Sequence, residues 1–310
     1  MNAADCLSDL LARRIVVLDG AMGTMLPDAV NKDAVVLTDP GRVKRIHAAY
    51  LEAGADIIKT NTFRATSVAQ PSSAVGASTY ETNVAAARLA KDAADECLTR
   101  SPGRQRFVAG VIGPARAAPG VLREAYGEQV RGLIDGGADL LLVETIVDTR
   151  SAAAALDASA AEFERRGSSV PLMLSATIDR QGRLPSGETL EAFVAAVADP
   201  PPFSIGLNCG HGARSMAMHV AELARYWDAC ISCHPSAGLP DALGEYGERP
   251  GDTASVLRAL AEAGLVNIVG GCCGTTPDYT RATVDALKTV AAGAIRTPRG
   301  TSRPSPADPS

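Results

Sequence analysis

Short apolar runs recur along the chain, each followed by a longer stretch in which apolar positions return every three or four residues. The runs are IVVL (15–18), DIIKT (56–60), FVAGV (107–111), DLLLV (139–143), LMLSAT (172–177), FSIGL (203–207), ACISC (229–233) and NIVG (267–270). Their length and their lack of polar alternation predict strands buried on both faces. The stretches between them carry helix punctuation. GRVKRIHAAYLEAGAD begins after Asp39-Pro40 and stops at Gly54, and the stretch from Val121 stops at DGGAD. In TTPDYTRATVDALKTV, Thr276 is placed as an N-cap with Pro277 at the first helical position. Eight strands alternating with helices predict an α/β fold, a single-domain (β/α)8 TIM barrel over residues 1–292. An open doubly wound sheet would use the same alternation. LDGAMGTML, after the first run, has Gly20 and Gly23 but lacks the third glycine of a dinucleotide-binding turn. Residues 293–310, rich in Pro and Ser with no apolar period, are expected to form a disordered tail.

Composition changes this picture only by exclusion. A formal charge of −5 over 310 residues, with no long basic run, argues against nucleic acid as a partner. No apolar run approaches the roughly 20 residues that cross a membrane, and the N-terminus has no apolar signal segment. A cytoplasmic protein is expected. Seven cysteines is an odd count, and disulfides are not expected in that compartment.

The C-terminal ends of barrel strands form the face on which such folds place their chemistry. Here those ends read Asp19-Gly20, Asn61, Gly113-Pro114, Glu144, Thr177, Asn208-Cys209, His234-Pro235 and Gly271-Cys272-Cys273. Neighbouring residues of a regular strand point to opposite faces, so Cys272 and Cys273 cannot share a task on one. If the chain leaves strand geometry at Gly271, both thiols can turn toward Cys209. Three converging thiolates would make a soft tetrahedral Zn2+ site with one position open. Three buried free thiols are the alternative, and His211 and His234 compete as ligands. Cys230 and Cys233 in CISC have C-x-x-C spacing, but on a strand they face opposite ways and should not meet.

LDGAMGTML, ADIIKTNTF, ADLLLVETIVDT, FSIGLNCG, HPSAGLPDALGEY and NIVGGCCGTTP, in this order, resemble the homocysteine S-methyltransferase family. The resemblance is closest to the N-terminal homocysteine-binding module of cobalamin-dependent methionine synthase and runs from about residue 13 to 290. It implies that Cys209, Cys272 and Cys273 hold one Zn2+ per chain. It also implies that Asp19 and Glu144 hold the amino group of homocysteine, and that backbone N–H groups of Gly20, Ala21, Met22 and Gly23 meet its carboxylate. Asn208 would shape the site next to the first zinc ligand, with Asn61 in a similar part. The implied activity is transfer of a methyl group to homocysteine, giving methionine.

Two departures concern the methyl donor. ARAAPGVLREAYGEQ after Gly113-Pro114 is shorter than the insertion that the resemblance implies, and Ser236 stands in HPSAGLP where the family usually has Asn. Trp227 is the single tryptophan and precedes the seventh run, and of the phenylalanines and tyrosines only Phe63 falls plainly near a strand end. That argues against an aromatic cage for a cationic donor. The expected donor is therefore methylcobalamin on a separate corrinoid protein, docked where the 114–121 segment leaves room. S-methylmethionine or betaine is the alternative donor. A non-catalytic zinc- or thiol-binding subunit is the alternative of another class.

Overall fold

Every one of the eight apolar runs forms a strand of one parallel sheet. The computed structural model describes residues 3–27, 32, 34–70, 76–290 and 296. The strands are β1 (Val16–Val17), β2 (Ile57–Lys59), β3 (Phe107–Ile112), β4 (Leu140–Ile146), β5 (Leu172–Ala176), β6 (Ser204–Gly212), β7 (Cys230–Ser236) and β8 (Ile268–Val269). The helices are α1 (Ala3–Leu11), α2 (Met22–Met25), α3 (Val35–Thr38), α4 (Pro40–Ala53), α5 (Thr79–Arg100) and α6 (Pro119–Asp135). They continue as α7 (Thr149–Arg166), α8 (Leu190–Val197), α9 (Ala213–Tyr226), α10 (Pro250–Glu262) and α11 (Pro277–Leu287).

The sheet order is β1-β8-β7-β6-β5-β4-β3-β2. A parallel bridge between Leu18 and Ile57 joins its two ends, so the sheet closes as a (β/α)8 barrel. Two backbone bonds cross this seam, Asp56 N–H to Val17 O at 2.7 Å and Asp19 N–H to Ile57 O at 2.9 Å. Two aspartates extend it: Asp56 Oδ2 accepts from Val17 N–H at 3.0 Å, and Asp19 Oδ2 accepts from Lys59 N–H at 2.9 Å. Asp56 lies at the start of β2 and Asp19 at the opposite rim, so a buried carboxylate continues the ladder at each end of the seam.

The helix boundaries follow the local chemistry. Asp39 caps α4 by accepting from Arg42 N–H at 3.1 Å, Pro40 occupies its first position, and Gly54 closes it at φ 107°. Helix α6 begins at Pro119, two residues before the expected Val121. Thr276 sits at the N-cap of α11 before Pro277, but its hydroxyl makes no capping bond.

One apolar cluster fills the barrel, with Leu18, Ile57, Ala109, Leu142, Met173 and Ile268 among its members, while another lies between the strands and the helices. Cys230 belongs to the interior cluster, whereas Cys233 faces outward and meets Met216 on α9, Sγ to Sδ 3.6 Å. The two do not meet, as the strand period requires. Trp227 follows α9, and its indole N–H donates to Cys230 O at 3.1 Å. Apart from Arg296, the segment 293–310 lies outside the described residues; the Arg296 guanidinium donates to Ala229 O at 3.1 Å. Among the described residues no helix is long and apolar enough to cross a membrane.

Candidate functional site

Cys209 is brought to the rim by β6, which runs on to Gly212 with a register shift against β7 between Asn208 and Gly212. Cys209 itself has φ 60°, and Gly210 has φ 70°. A non-glycine residue in the left-handed region is uncommon and costs of order 1 kcal/mol, so its surroundings hold it there. Cys272 and Cys273 follow β8 on a segment tied to its neighbours by Gly271 N–H to Asp19 O at 3.0 Å and Cys272 N–H to Pro235 O at 2.8 Å. Ala237 N–H returns a bond to Cys273 O at 2.9 Å.

The chain has left strand geometry by Gly271, as expected, since β8 ends at Val269. The left-handed turns fall at Cys209-Gly210 and at Gly274, φ 79°, rather than at Gly271. Gly271 is needed because a Cβ there would lie 2.4 Å from Thr275 Oγ1, leaving no room for any side chain.

The three sulfurs converge. Cys209 Sγ and Cys273 Sγ are 3.4 Å apart, Cys272 Sγ and Cys273 Sγ 4.0 Å, and all three lie within 4.8 Å of one another. Ligands about 2.3 Å from a tetrahedral zinc ion stand roughly 3.8 Å apart, so this spacing fits one such ion with a fourth position left over. Neither His211 nor His234 belongs to the group. Asn208 Nδ2 lies 3.9 Å from Cys272 Sγ, and the Ser236 hydroxyl lies 3.5 Å from Cys209 Sγ. Hydrogen bonds from the Cys272 and Cys273 thiols, in that order, pull the Cys209 thiol down, while the hydrogen bonds with Cys209 and Cys273, and then burial, push Cys272 up.

Beside the sulfurs sits a charged floor. Asp19, Glu144 and Lys59 are all buried. Lys59 Nζ lies 3.9 Å from Asp19 Oδ1, 3.6 Å from Glu144 Oε2 and 3.3 Å from Gly271 O. Asp19 Oδ1 and Glu144 Oε2 are buried acceptors without a hydrogen-bond partner. Burial pushes Asp19 up to about 7, against the opposing pull of Lys59. His234 is fully buried with both ring nitrogens unpartnered, and burial, then Lys59, pushes it down to about 3, so it stays neutral.

Asn208 holds the two halves together. Its Oδ1 accepts from Thr145 N–H at 2.9 Å and its Nδ2 donates to Thr145 Oγ1 at 2.9 Å, fixing the residue after Glu144 at φ 62°. The turn carrying Gly20, Ala21, Met22 and Gly23 enters the one-turn α2, whose first N–H groups have no partner within so short a helix. The Tyr50 hydroxyl lies 3.0 Å from Ala21 O and 3.1 Å from Thr275 O, tying this turn to the cysteine segment. Asn61 bonds away from the sulfurs, its Nδ2 donating to Lys32 O at 2.8 Å.

Sequence reasoning missed Lys59 and Tyr246. Lys59 is two positions after the interior residue Ile57, so the strand period already placed it inside the barrel. Tyr246, the last letter of HPSAGLPDALGEY, lies over the cysteine turn: a Cβ on Gly274 would be 2.2 Å from its ring. Burial and then the neighbouring cysteines push its hydroxyl up to about 12. The rim therefore carries an aromatic ring in addition to Phe63, which the spacing of the apolar runs did not reveal.

A (β/α)8 barrel with three cysteines converging at its C-terminal rim, next to paired buried carboxylates, defines a protein with a cysteine cluster able to hold a metal ion and an adjoining polar pocket. The family profile for homocysteine S-methyltransferase matches residues 16–287, and the chain belongs to that family. Among solved structures it is similar to the homocysteine methyltransferase MmuM from Escherichia coli. Against the metallated form the TM-score is 0.74 at 22% identity, covering 92% of this chain and 100% of the other. Against the oxidized form the TM-score is 0.75 at 23% identity, covering 92% and 99%. The ribulose-1,5-bisphosphate carboxylase/oxygenase of Pyrococcus horikoshii shares the fold more distantly, with a TM-score of 0.55, 12% identity, and coverage of 94% and 62%.

Proposed function

We propose that this chain methylates homocysteine to methionine, with its acceptor sulfur received at a zinc ion held by Cys209, Cys272 and Cys273. The convergence of the three sulfurs at tetrahedral spacing carries this reading. When bound, zinc would supply the charge that lets the acceptor arrive as a thiolate near neutral pH, where a free thiol with a pKa of about 8.5 is mostly protonated. Ser236 and Asn208 donate toward two of the three sulfurs and orient them. Asp19 Oδ1 and Glu144 Oε2, which make no hydrogen bond, would accept from the amino group of homocysteine, and N–H groups of Gly20–Gly23 would meet its carboxylate. Holding both ends of a short amino acid aims its sulfur at one point. In the transfer the sulfur's electron pair forms the S–CH3 bond, and the pair of the broken bond stays on the donor.

The donor in this reading is methylcobalamin delivered by a separate corrinoid protein on the rim beside residues 114–121. A second reading is favoured by Tyr246. A ring beside Cys273, with Phe63 38% exposed elsewhere on the rim, offers faces to an onium donor such as S-methylmethionine or betaine. Supplying each donor in turn to zinc-loaded protein with homocysteine decides between them. Methionine formed from methylcobalamin alone supports the first reading, and methionine formed from an onium donor alone overturns it.

Two further outcomes follow. Cys230→Ser should keep its zinc by elemental analysis, because Cys230 points into the barrel interior below the rim. Zinc loss there would contradict the assignment of ligands. Glu144→Gln should weaken homocysteine binding by calorimetry, by the ~2–5 kcal/mol that a desolvated charge pair is worth, while zinc content stays unchanged. Unchanged affinity would remove Glu144 from the acceptor pocket.

A further inference from the structure

Helix α9 begins at Ala213, close behind Cys209, but the residue in its capping position is Gly212, which has no side chain to accept from the first N–H groups. The acceptor comes from another segment. Glu248, between β7 and α10, receives Ala213 N–H and the Thr253 hydroxyl on Oε2, each at 3.2 Å. Its Oε1 fills the place of the missing side chain, because a Cβ on Gly212 would fall on that oxygen. A carboxylate is also the favourable charge at a helix N-terminus.

The same residue reaches the other cysteine segment through its backbone. Glu248 N–H donates to Ala237 O at 3.0 Å, and Ala237 N–H donates to Cys273 O at 2.9 Å. Glu248 O accepts from the Tyr279 hydroxyl on α11. Cys209 and Cys273, whose sulfurs are 3.4 Å apart, therefore ride on segments that meet at Glu248. The Cys209 side needs that support. Cys209 and Gly210 are both left-handed, and β6 loses its register against β7 between Asn208 and Gly212. Beyond this break the chain is fixed again by the pairing of Gly212 with Ser236 and by the bond from Ala213 to Glu248. We propose that Glu248 is a positioning residue for the cysteine centre, its carboxylate supplying the cap that Gly212 cannot and so holding the Cys209 turn at metal-binding spacing. This rests on the zinc reading above and adds a residue that acts on the centre through the backbone of residues 209–213. Both side-chain donors to Glu248 are uncharged, so an amide oxygen can replace the carboxylate, whereas a methyl group cannot.

The test compares zinc affinity, by competition with a chelator, and the absorption of cobalt-substituted protein in Glu248→Ala, Glu248→Gln, Gly212→Ala and the double variant Gly212→Ala/Glu248→Ala. Glu248 is half-buried in a surface segment, and its backbone bonds survive each substitution, so the variants should fold. Glu248→Ala should bind zinc about tenfold more weakly and shift the cobalt ligand-field bands, while Glu248→Gln stays within about threefold of wild type. Gly212→Ala should lose about as much as Glu248→Ala, since its new methyl displaces the carboxylate. In the double variant the methyl has room, so the two losses should not add. Additive losses, or zinc affinity and cobalt bands unchanged in Glu248→Ala even if the metal-free protein melts lower, would overturn the role of Glu248 alone. A wild type that takes up no zinc and gives cobalt no sulfur band would remove the zinc reading, and the proposal with it.

Discussion

Cys209→Ala or Cys273→Ala should yield protein that folds and carries almost no zinc. Removing a partner that merely orients a ligand costs roughly 10–100-fold in metal affinity, and removing one of three ligands should exceed that. Both cysteines are only half-buried at the rim, outside the apolar clusters, so little packing is lost with either sulfur. The discriminating measurement compares melting temperatures with and without chelator. A ligand that binds only the folded state raises stability by mass action, so wild type should melt higher with zinc than without. Each variant should melt near the chelated wild type, whatever zinc is added, and should form no methionine. Full zinc retention by elemental analysis in either variant would refute the three-cysteine centre.

Asp56→Ala should produce the largest loss of stability. The Asp56 side chain is fully buried and receives Arg14 at 2.6 and 2.7 Å, Val17 N–H at 3.0 Å and Arg104 at 3.3 Å. Arg106, itself 6% exposed, lies 3.5 Å away. Removing the carboxylate leaves a buried guanidinium uncompensated and takes a hydrogen bond from the β1–β2 seam. Removing one partner of a buried pair typically costs about 3–5 kcal/mol. Because Arg14 and Arg104 are partly exposed and can be rehydrated, the lower end of that range is expected. Chemical denaturation with a shift under about 1 kcal/mol would show that the seam does not depend on this carboxylate.

The barrel was legible because eight buried strands and their helices write two distinct periods into the sequence, and each strand lies within or across its run. The cysteine rim was legible for the same reason: a strand end is a position on a known face. What could not be read was geometry set by contacts between distant segments. The left-handed turn at Cys209 depends on its neighbours rather than on its own residue type, whereas the departure from strand geometry ahead of Cys272 was legible from Gly270 and Gly271. Strand β6 runs past Leu207 because its irregular end still pairs with Ser236. Tyr246 reaches the cysteines through a long β7–α10 connection, which carries no period. Lys59 differs from these cases: its interior position followed from the strand period, but a lysine inside an apolar run makes sense only once Asp19 and Glu144 are seen around it.

Asp19 spends its two oxygens differently, and that division has a dynamic consequence. One oxygen receives Lys59 N–H across the seam, and the other makes no hydrogen bond, with only Lys59 Nζ 3.9 Å away. Any group that occupies the free oxygen also restrains the carboxylate that holds the strand. Amide hydrogen exchange at Lys59 should therefore slow when the pocket is filled, although nothing bound there touches that amide. Asp19→Asn can keep the seam bond through its carbonyl while presenting an amide to the pocket, whereas Asp19→Ala forfeits both. The exchange rate of one backbone proton thus becomes an internal gauge of occupancy, readable before any product is formed.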